Sequence, residues 1–166
     1  MDAMNGEIPL PIQEGVRDLL KDLVGTGVAV DKTTPLVFDD EDNIRGVIAE
    51  YIDDDDALVA LCLADHSFAC YSGAALSMIP AAAAKESIRR NELPDNLRDN
   101  YAEVVNIISR LLNSSTSPHL RLGRVHVIPG ELPEAVVKAM AAPSVRRDFA
   151  VTITGYGSGN VSLLLV

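Results

Sequence analysis

The stretch of sequence that decides the fold is LRDNYAEVVNIISRLLN, residues 97–113. Its apolar side chains recur at steps of three and four residues, which is the period of an amphipathic α-helix. This spacing predicts a helix that starts after Pro94, with Asp95 as its cap, and continues to Asn113. The face that we expect to be buried consists of Leu97, Tyr101, Val104, Ile108 and Leu111.

The opposite side of the same helix carries a polar stripe. At about 100° per residue its members follow one another at alternating steps of four and three residues: Asp99, Glu103, Asn106, Arg110 and Asn113. Any amphipathic helix turns a polar face to water, so this geometry alone indicates no more than a solvated surface. A functional interpretation requires a second observation.

The spacing along the stripe provides that observation. Asp99 is followed after three residues by Glu103, then after two residues by Asn106, and after twenty-two more by Pro129. Asp or Ser, Glu, Asn and Pro at these distances are the motif of the CheC/CheX family of chemotaxis response-regulator phosphatases. The chain therefore resembles this family, and its single copy of the motif resembles the CheX branch more than the two-site CheC branch.

The resemblance implies a phosphatase that acts on a receiver domain phosphorylated on aspartate. Asn106 would orient the attacking water and Glu103 would pair with a receiver lysine, so these two are the expected catalytic residues. Asp99, Arg110 and Pro129 are expected to support the helix, the docking surface or the turn after the following strand. The resemblance implies no cofactor in this chain, because the Mg²⁺ would be held by the phosphorylated partner.

The sequence departs from the family just after Asn106. The family tends to place small residues there, whereas this chain has Ser109 and Arg110. Arg110 could pair with Glu103, pair with an acidic site of the partner, or block close approach. The alternative to the phosphatase is therefore a non-catalytic interaction module in two-component or chemotaxis signalling, comparable with flagellar switch proteins. A third interpretation is a structural domain of unrelated fold with an accidental motif.

The remaining chain alternates predicted helices and strands. We predict a helix from near Pro11 to Gly25, a hairpin over 44–52 and 57–64, an Ala-rich helix over 67–85 that Pro80 ends or kinks, a strand over 120–128, a helix over 132–141, and a closing hairpin over 149–154 and 161–166 around GYGSGN. This order predicts an α+β fold whose antiparallel-rich sheet has two long helices packed on one face. Residues 1–10 are expected to be a flexible N-terminus and 11–166 a single CheX-like domain.

Charge and composition restrict the class of partner. A net charge of −10, a pI near 4.6 and 4% aromatic residues oppose nucleic acid or an anionic membrane as the partner. The apolar setting of Cys62 and Cys70, and the lack of a long uncharged apolar run, lead us to expect a cytoplasmic protein. An exposed edge strand would favour a homodimer, as in the CheX branch.

Three other patterns could suggest a ligand site. The acidic runs 39–42 and 53–56 resemble a calcium loop but lack its Gly and closing Glu, so we interpret them as solvated turns. The glycine-rich GYGSGN has no Lys and precedes a strand, which opposes a phosphate loop. The widely spaced His66, His119 and His126 do not form a metal-ligand pattern, and we expect no metal site.

Overall fold

The computed structural model describes residues 8–36, 38 and 46–166. In this part the chain forms helices α1 Gln13–Val24, α2 His66–Leu76, α3 Ala81–Arg89, α4 Asp95–Ile108 and α5 Glu134–Ala141. A 3₁₀ turn, Ser109–Leu112, extends α4. The strands are β1 Val28–Lys32, β2 Gly46–Ile52, β3 Leu58–Asp65, β4 Arg121–Ile128, β5 Val145–Ile153 and β6 Gly157–Leu165.

The strands form one sheet in the order β1-β5-β6-β3-β2-β4, in which every neighbouring pair is antiparallel. The β2–β3 hairpin and the β5–β6 hairpin meet at its centre, where Cys62 of β3 lies opposite Leu163 of β6. Strands β1 and β4 are therefore the two edges. The antiparallel-rich sheet that the sequence predicts is confirmed.

The main core lies between one face of this sheet and helices α1, α2 and α4. It contains Leu20 of α1, Phe68 of α2, and Tyr101 of α4, which meets the Phe68 ring edge-on at a centroid distance of 6.0 Å. Helices thus pack on this face of an antiparallel sheet, and the predicted α+β fold class is confirmed. On the other face, α5 contributes Val136 to a smaller cluster.

Helix α2 lies between the sheet and the outer helices, which explains its composition. Eight of its residues are buried, because β6 packs against one side and α3 and α4 against the other. Gly73 makes the crossing with α4 possible, since a Cβ there would lie 2.8 Å from the main-chain oxygen of Leu97. The small residues of α2 therefore set the height of α4 above the sheet.

The predicted break at Pro80 is a helix end, because α2 stops at Leu76 and Pro80 is the N-cap of α3. Other sequence predictions are wrong in detail. Asp95 is the first helical residue and accepts no capping hydrogen bond, since Pro94 occupies the N-cap position. Strand β6 begins at Gly157, so most of GYGSGN is strand and the turn spans 154–156. Strand β1 was not predicted at all.

Two predictions concern residues that the structure describes only in part. The acidic run 39–42 lies outside the described residues. Residues 1–7 of the expected flexible N-terminus also lie outside them. Ile8 and Leu10, which follow, pack partly buried against the main core. The boundary at residue 11 stays a prediction. The second acidic run, 53–56, is a turn in which Asp53 accepts hydrogen bonds from the main-chain N–H groups of Asp55 and Ala57.

Candidate functional site

The outer surface of α4 carries the polar stripe that the sequence predicts. Asp99, Glu103 and Asn106 are exposed and helical, and Arg110 is exposed in the 3₁₀ turn that follows. The expected buried face is buried except for Leu111, which is half-buried. The structure thus brings a carboxylate, an amide and a guanidinium to one outward face within about two turns of helix.

Asn113 does not belong to this stripe. The α-helix ends at Ile108, and the tighter 3₁₀ turn rotates the chain away from the regular period. The half-buried Asn113 side chain instead bonds to Leu120, donating from Nδ2 to its oxygen at 3.1 Å and accepting from its main-chain N–H at 2.8 Å. It joins the end of the helix to the start of β4.

A buried hydrogen bond fixes the last turn of α4 to the sheet. The hydroxyl of Tyr51, on β2, donates to the main-chain oxygen of Val105 at 2.6 Å. The same oxygen also accepts the main-chain N–H of Ser109, so both of its lone pairs are used. Because Val105 directly precedes Asn106, this bond holds the backbone that carries the amide.

A second anchor lies on the side of α4 that faces α2. Asn100 donates from Nδ2 to the oxygen of Gly73 at 2.9 Å and to Oγ of Ser77 at 3.0 Å. Sequence reasoning missed this residue, since an Asn within a helix can equally face solvent. It could have been suspected from its place on the flank of the stripe, beside Asp99.

The charged groups of the stripe are free of internal partners. Within the described part of the chain, Glu103 forms no ion pair or side-chain hydrogen bond, and neither does Arg110. The alternative in which Arg110 pairs with Glu103 is therefore not realised in this structure. A free carboxylate and a free guanidinium on a convex helix surface are both available to a second molecule.

Pro129 is not next to the stripe. The register places Ile128 opposite Gly46, whereas Tyr51, which contacts Val105, is five residues further along β2. At about 3.3 Å per residue, these two points of the strand are roughly 16 Å apart. Pro129 is exposed where β4 ends and the chain turns towards α5 on the other face of the sheet.

The histidines have ordinary structural partners. His66 is buried with Nε2 at 2.7 Å from the oxygen of Glu92, and His126 pairs with Glu50 between neighbouring strands. His119 is exposed near Asp54. No group of three or more metal-binding side chains occurs among residues 8–36, 38 and 46–166.

The two cysteines are buried, and burial disfavours the reactive thiolate form of both. Burial raises the pKa of the Cys62 thiol to about 12, against weaker opposing effects of the hydroxyls of Tyr101 and Tyr51. Burial likewise raises the pKa of Cys70 to about 12. Neither thiol can be a nucleophile at neutral pH, because the reactive thiolate is nearly absent. Both act as packing residues, as the sequence predicts.

An open cavity of about 580 Å³ lies elsewhere on the molecule. Its lining includes Arg124 and His126 of β4 and Glu131 and Pro133 of the following loop. These residues are on the side of the sheet that α5 covers, so the cavity is separate from the stripe. Among the helices of the described residues, none has the length and hydropathy that a membrane span requires.

Comparisons with known proteins identify the fold. No family model and no curated protein matches the chain. The middle domain of FliM from Vibrio alginolyticus matches with a TM-score of 0.60 and 9% identity, over 92% of this chain and 86% of that one. FliY of Thermotoga maritima matches with a TM-score of 0.53 and 10% identity, over 92% and 88%.

CheX of Vibrio vulnificus also matches, over 92% of this chain and 95% of that one, with 13% identity and a lower TM-score of 0.47. Identities this low concern the fold alone. The chain has the fold of the FliM middle domain and of FliY.

Proposed function

We propose that this protein removes the phosphoryl group from the phospho-aspartate of a receiver domain that docks on α4. The observation that carries the proposal is the stripe itself. The side chains of Glu103 and Asn106 lie one turn apart and exposed, with no hydrogen-bond or ion-pair partner among the described residues, on a helix that Tyr51 and Asn100 anchor to the rest of the fold. Their spacing is that of the motif described above.

The reaction requires little from this chain beyond positioning. A water attacks phosphorus in line, the phosphorus–oxygen bond to the aspartyl carboxylate breaks, and the products are inorganic phosphate and the free carboxylate. Asn106 can accept a hydrogen bond from the water through its amide oxygen and donate through its amide nitrogen. Such placement accounts for much of the acceleration in phosphoryl transfer. The Mg²⁺ that neutralises the phosphoryl oxygens would be held by the partner.

The proposed roles of the charged residues follow from the lack of ion pairs to them within the described part of the chain. Glu103 can pair with a lysine of the receiver and fix the register of docking, with no internal ion pair to break first. Asp99, one turn earlier, and Arg110, one turn later, extend the same surface. The stripe contains no strong nucleophile and is convex, so we expect little activity on small phosphate esters.

The test uses receiver domains from the same genome, each phosphorylated and followed for loss of phosphate. The wild type should shorten the lifetime of at least one phosphorylated receiver. Asn106→Ala should lose most of the acceleration, about 100-fold or more, and Glu103→Ala should chiefly raise KM. Asp22→Ala, which removes an exposed carboxylate on α1, is the matched control. A wild type that changes no receiver's lifetime would refute the proposal.

A second candidate function is a non-catalytic interaction module. Its support is the likeness to FliM, together with the bulk of Arg110 beside Asn106; FliM of Helicobacter pylori has been solved in a complex with SpeE. If this alternative holds, the protein binds a partner tightly and no phosphate is lost. Titration with a beryllofluoride-activated receiver, combined with the lifetime assay, separates the two functions.

A further inference from the structure

Met78 combines two unusual features in the turn between α2 and α3. It is the most exposed large hydrophobic residue of the described chain, with 85% of its surface accessible. Its φ angle is +55°, in the left-handed region that side chains other than glycine rarely adopt. An apolar side chain in strained backbone with almost no contacts is unfavourable for a residue with only a structural role.

The backbone geometry shows which residue this position would favour. Met78 follows the C-cap of α2 and donates its main-chain N–H to Ala75, while Ile79 donates to Ala74 at 2.9 Å. This left-handed position after a helix is most often glycine. The same chain uses glycine in a left-handed helix end at α1, where Gly25 has φ +71°. Met78 therefore replaces the residue that would be least strained.

The position of Met78 relative to α4 is fixed from both sides. Its predecessor Ser77 accepts the hydrogen bond from Asn100 of α4, and its successor Ile79 accepts a 2.8 Å bond from the hydroxyl of Tyr156. Asn100 is adjacent to Asp99 and about one turn before Glu103. These two bonds place the turn that carries Met78 beside the residue that precedes Tyr101 on α4, at the flank of the polar stripe.

The polar stripe lacks a large apolar side chain that a partner could bury, and Met78 can provide one. Exposed ion pairs contribute little net affinity, so Glu103 and Arg110 alone would bind a partner weakly. Burial of one large apolar side chain contributes more, and methionine adapts well to a partner's surface. Binding energy at protein interfaces is typically concentrated in a few such residues.

We propose that Met78 is the apolar anchor of the surface that docks the phosphorylated receiver, contacting an apolar patch beside the partner's phosphorylation site. The occupant rests on the proposed function, and the argument for this occupant is continuity with the stripe through the Asn100–Ser77 bond. Met78 is then a specificity-determining residue, while Glu103 and Asn106 remain the residues that meet the reacting group.

The test compares Met78→Gly and Met78→Leu with Ile12→Ala, which truncates another exposed apolar side chain, at the N-cap of α1. We measure Tm, the Kd for a beryllofluoride-activated receiver, and KM and kcat for its phosphorylated form. Met78→Gly should raise Tm by about 2–4 °C, because the strain is relieved. It should weaken receiver binding roughly 10- to 100-fold and act on KM more than on kcat. Met78→Leu should keep most of the affinity, and Ile12→Ala should leave it unchanged.

The outcomes separate this inference from the proposed function. If the wild type dephosphorylates the receiver and Met78→Gly binds it equally well, the anchor is refuted and the phosphatase stands. If the wild type binds the receiver without hydrolysis and Met78→Gly weakens binding, the phosphatase is refuted and the anchor stands. If no receiver binds or loses phosphate, both are refuted. A loss of Tm in Met78→Gly would mean that the side chain is structural, and would also refute the anchor.

Discussion

The hydroxyl of Tyr51 lies 2.6 Å from the main-chain oxygen of Val105, and both residues are fully buried. This contact joins the end of β2 to the last turn of α4, through two residues that are 54 positions apart in the sequence. It fixes the turn of helix that presents Glu103 and Asn106 relative to the sheet. Rigid placement of this kind is what a positioning mechanism requires.

Two buried tyrosines, Tyr51 under α4 and Tyr101 on α4 itself, provide a matched test of this contact. Tyr51→Phe removes the bond to Val105 and should lower the free energy of unfolding by about 1 kcal/mol. The Tyr101 hydroxyl is also buried, but among the described residues it faces the weakly bonding Cys62 thiol and makes no hydrogen bond of ordinary geometry. Tyr101→Phe should therefore be neutral or slightly stabilising. Urea unfolding of both variants measures the difference, and equal losses would contradict the assignment.

The close crossing of α2 and α4 leads us to expect opposite effects on stability from alanine at two helical glycines, Gly73 of α2 and Gly15 of α1. In Gly73→Ala the new methyl would lie 2.8 Å from the backbone oxygen of Leu97, so the helices must move apart. We expect the free energy of unfolding to fall by about 1–3 kcal/mol and the proposed phosphatase activity to fall with it, because α4 is displaced.

Gly15 of α1 is the control for this substitution. A Cβ there meets nothing closer than 3.7 Å, so Gly15→Ala should stabilise the fold by about 0.5–1 kcal/mol through helix propensity alone. Thermal unfolding of the two variants gives the signs. A stabilising Gly73→Ala would show that the crossing is not close-packed.

The partly buried carboxylate of Asp148 predicts a pH dependence of stability. Burial by itself raises the pKa of Asp148, but hydrogen bonds from Arg146 at 2.7 Å and Ser162 at 2.5 Å outweigh it and lower the pKa below 3.8. A carboxyl group whose pKa is lower in the folded state stabilises the fold above its unfolded pKa. That stabilisation is lost as the pH falls through the folded-state pKa.

Asp148→Asn should therefore cost about 1–3 kcal/mol at pH 7, because charge-assisted hydrogen bonds are lost. The gap between wild type and variant should narrow as the pH falls below about 4. Urea unfolding from pH 7 down to pH 2.5 measures this. Asp22→Asn, an exposed carboxylate on α1, should show no comparable narrowing. If the difference in free energy of unfolding between wild type and Asp148→Asn is the same from pH 7 to pH 2.5, the ionised carboxylate is not the cause of that difference.

Arg110 has no ion-pair partner in the described part of the chain, so on the proposed docking face we expect it to assist encounter with an acidic partner site. Arg110→Ala should lower kcat/KM on a phosphorylated receiver by about 3- to 10-fold and should reduce its dependence on salt. Lys21→Ala, an exposed cation on α1, should have little effect. If Arg110→Ala instead increases hydrolysis, the guanidinium obstructs the stripe, and the natural protein is closer to an interaction module.

Parts of the fold could be predicted because a strong local pattern in the sequence marks them. The steps of three and four residues in α4 identified its buried face, and the four consecutive Asp residues marked the β2–β3 turn, since their charges cannot be buried together. Strand β1 is not predicted from the sequence, because it is short and lies at the edge of the sheet. Its residues alternate between half-buried and exposed, so they leave a weak hydrophobic pattern.

The glycines of β6 show how a local pattern can mislead. GYGSGN has the composition of a loop, yet Gly157 lies beneath the ring of Tyr71 and Gly159 beneath the backbone of Phe68. A Cβ at Gly159 would approach the nitrogen of Phe68 to 2.4 Å. These glycines let α2 approach the strand closely. That need depends on an element nearly ninety positions earlier, which no local window contains.

The sequence by itself determined that one helix would bury its apolar side and turn Asp99, Glu103 and Asn106 outward, because side-chain direction on a helix depends only on spacing. Tertiary structure alone decided what holds and borders that face. The bonds from Tyr51 and Asn100, and the place of Met78 beside the stripe, join residues that are 23 or more positions apart. Such contacts exist only after the chain has packed.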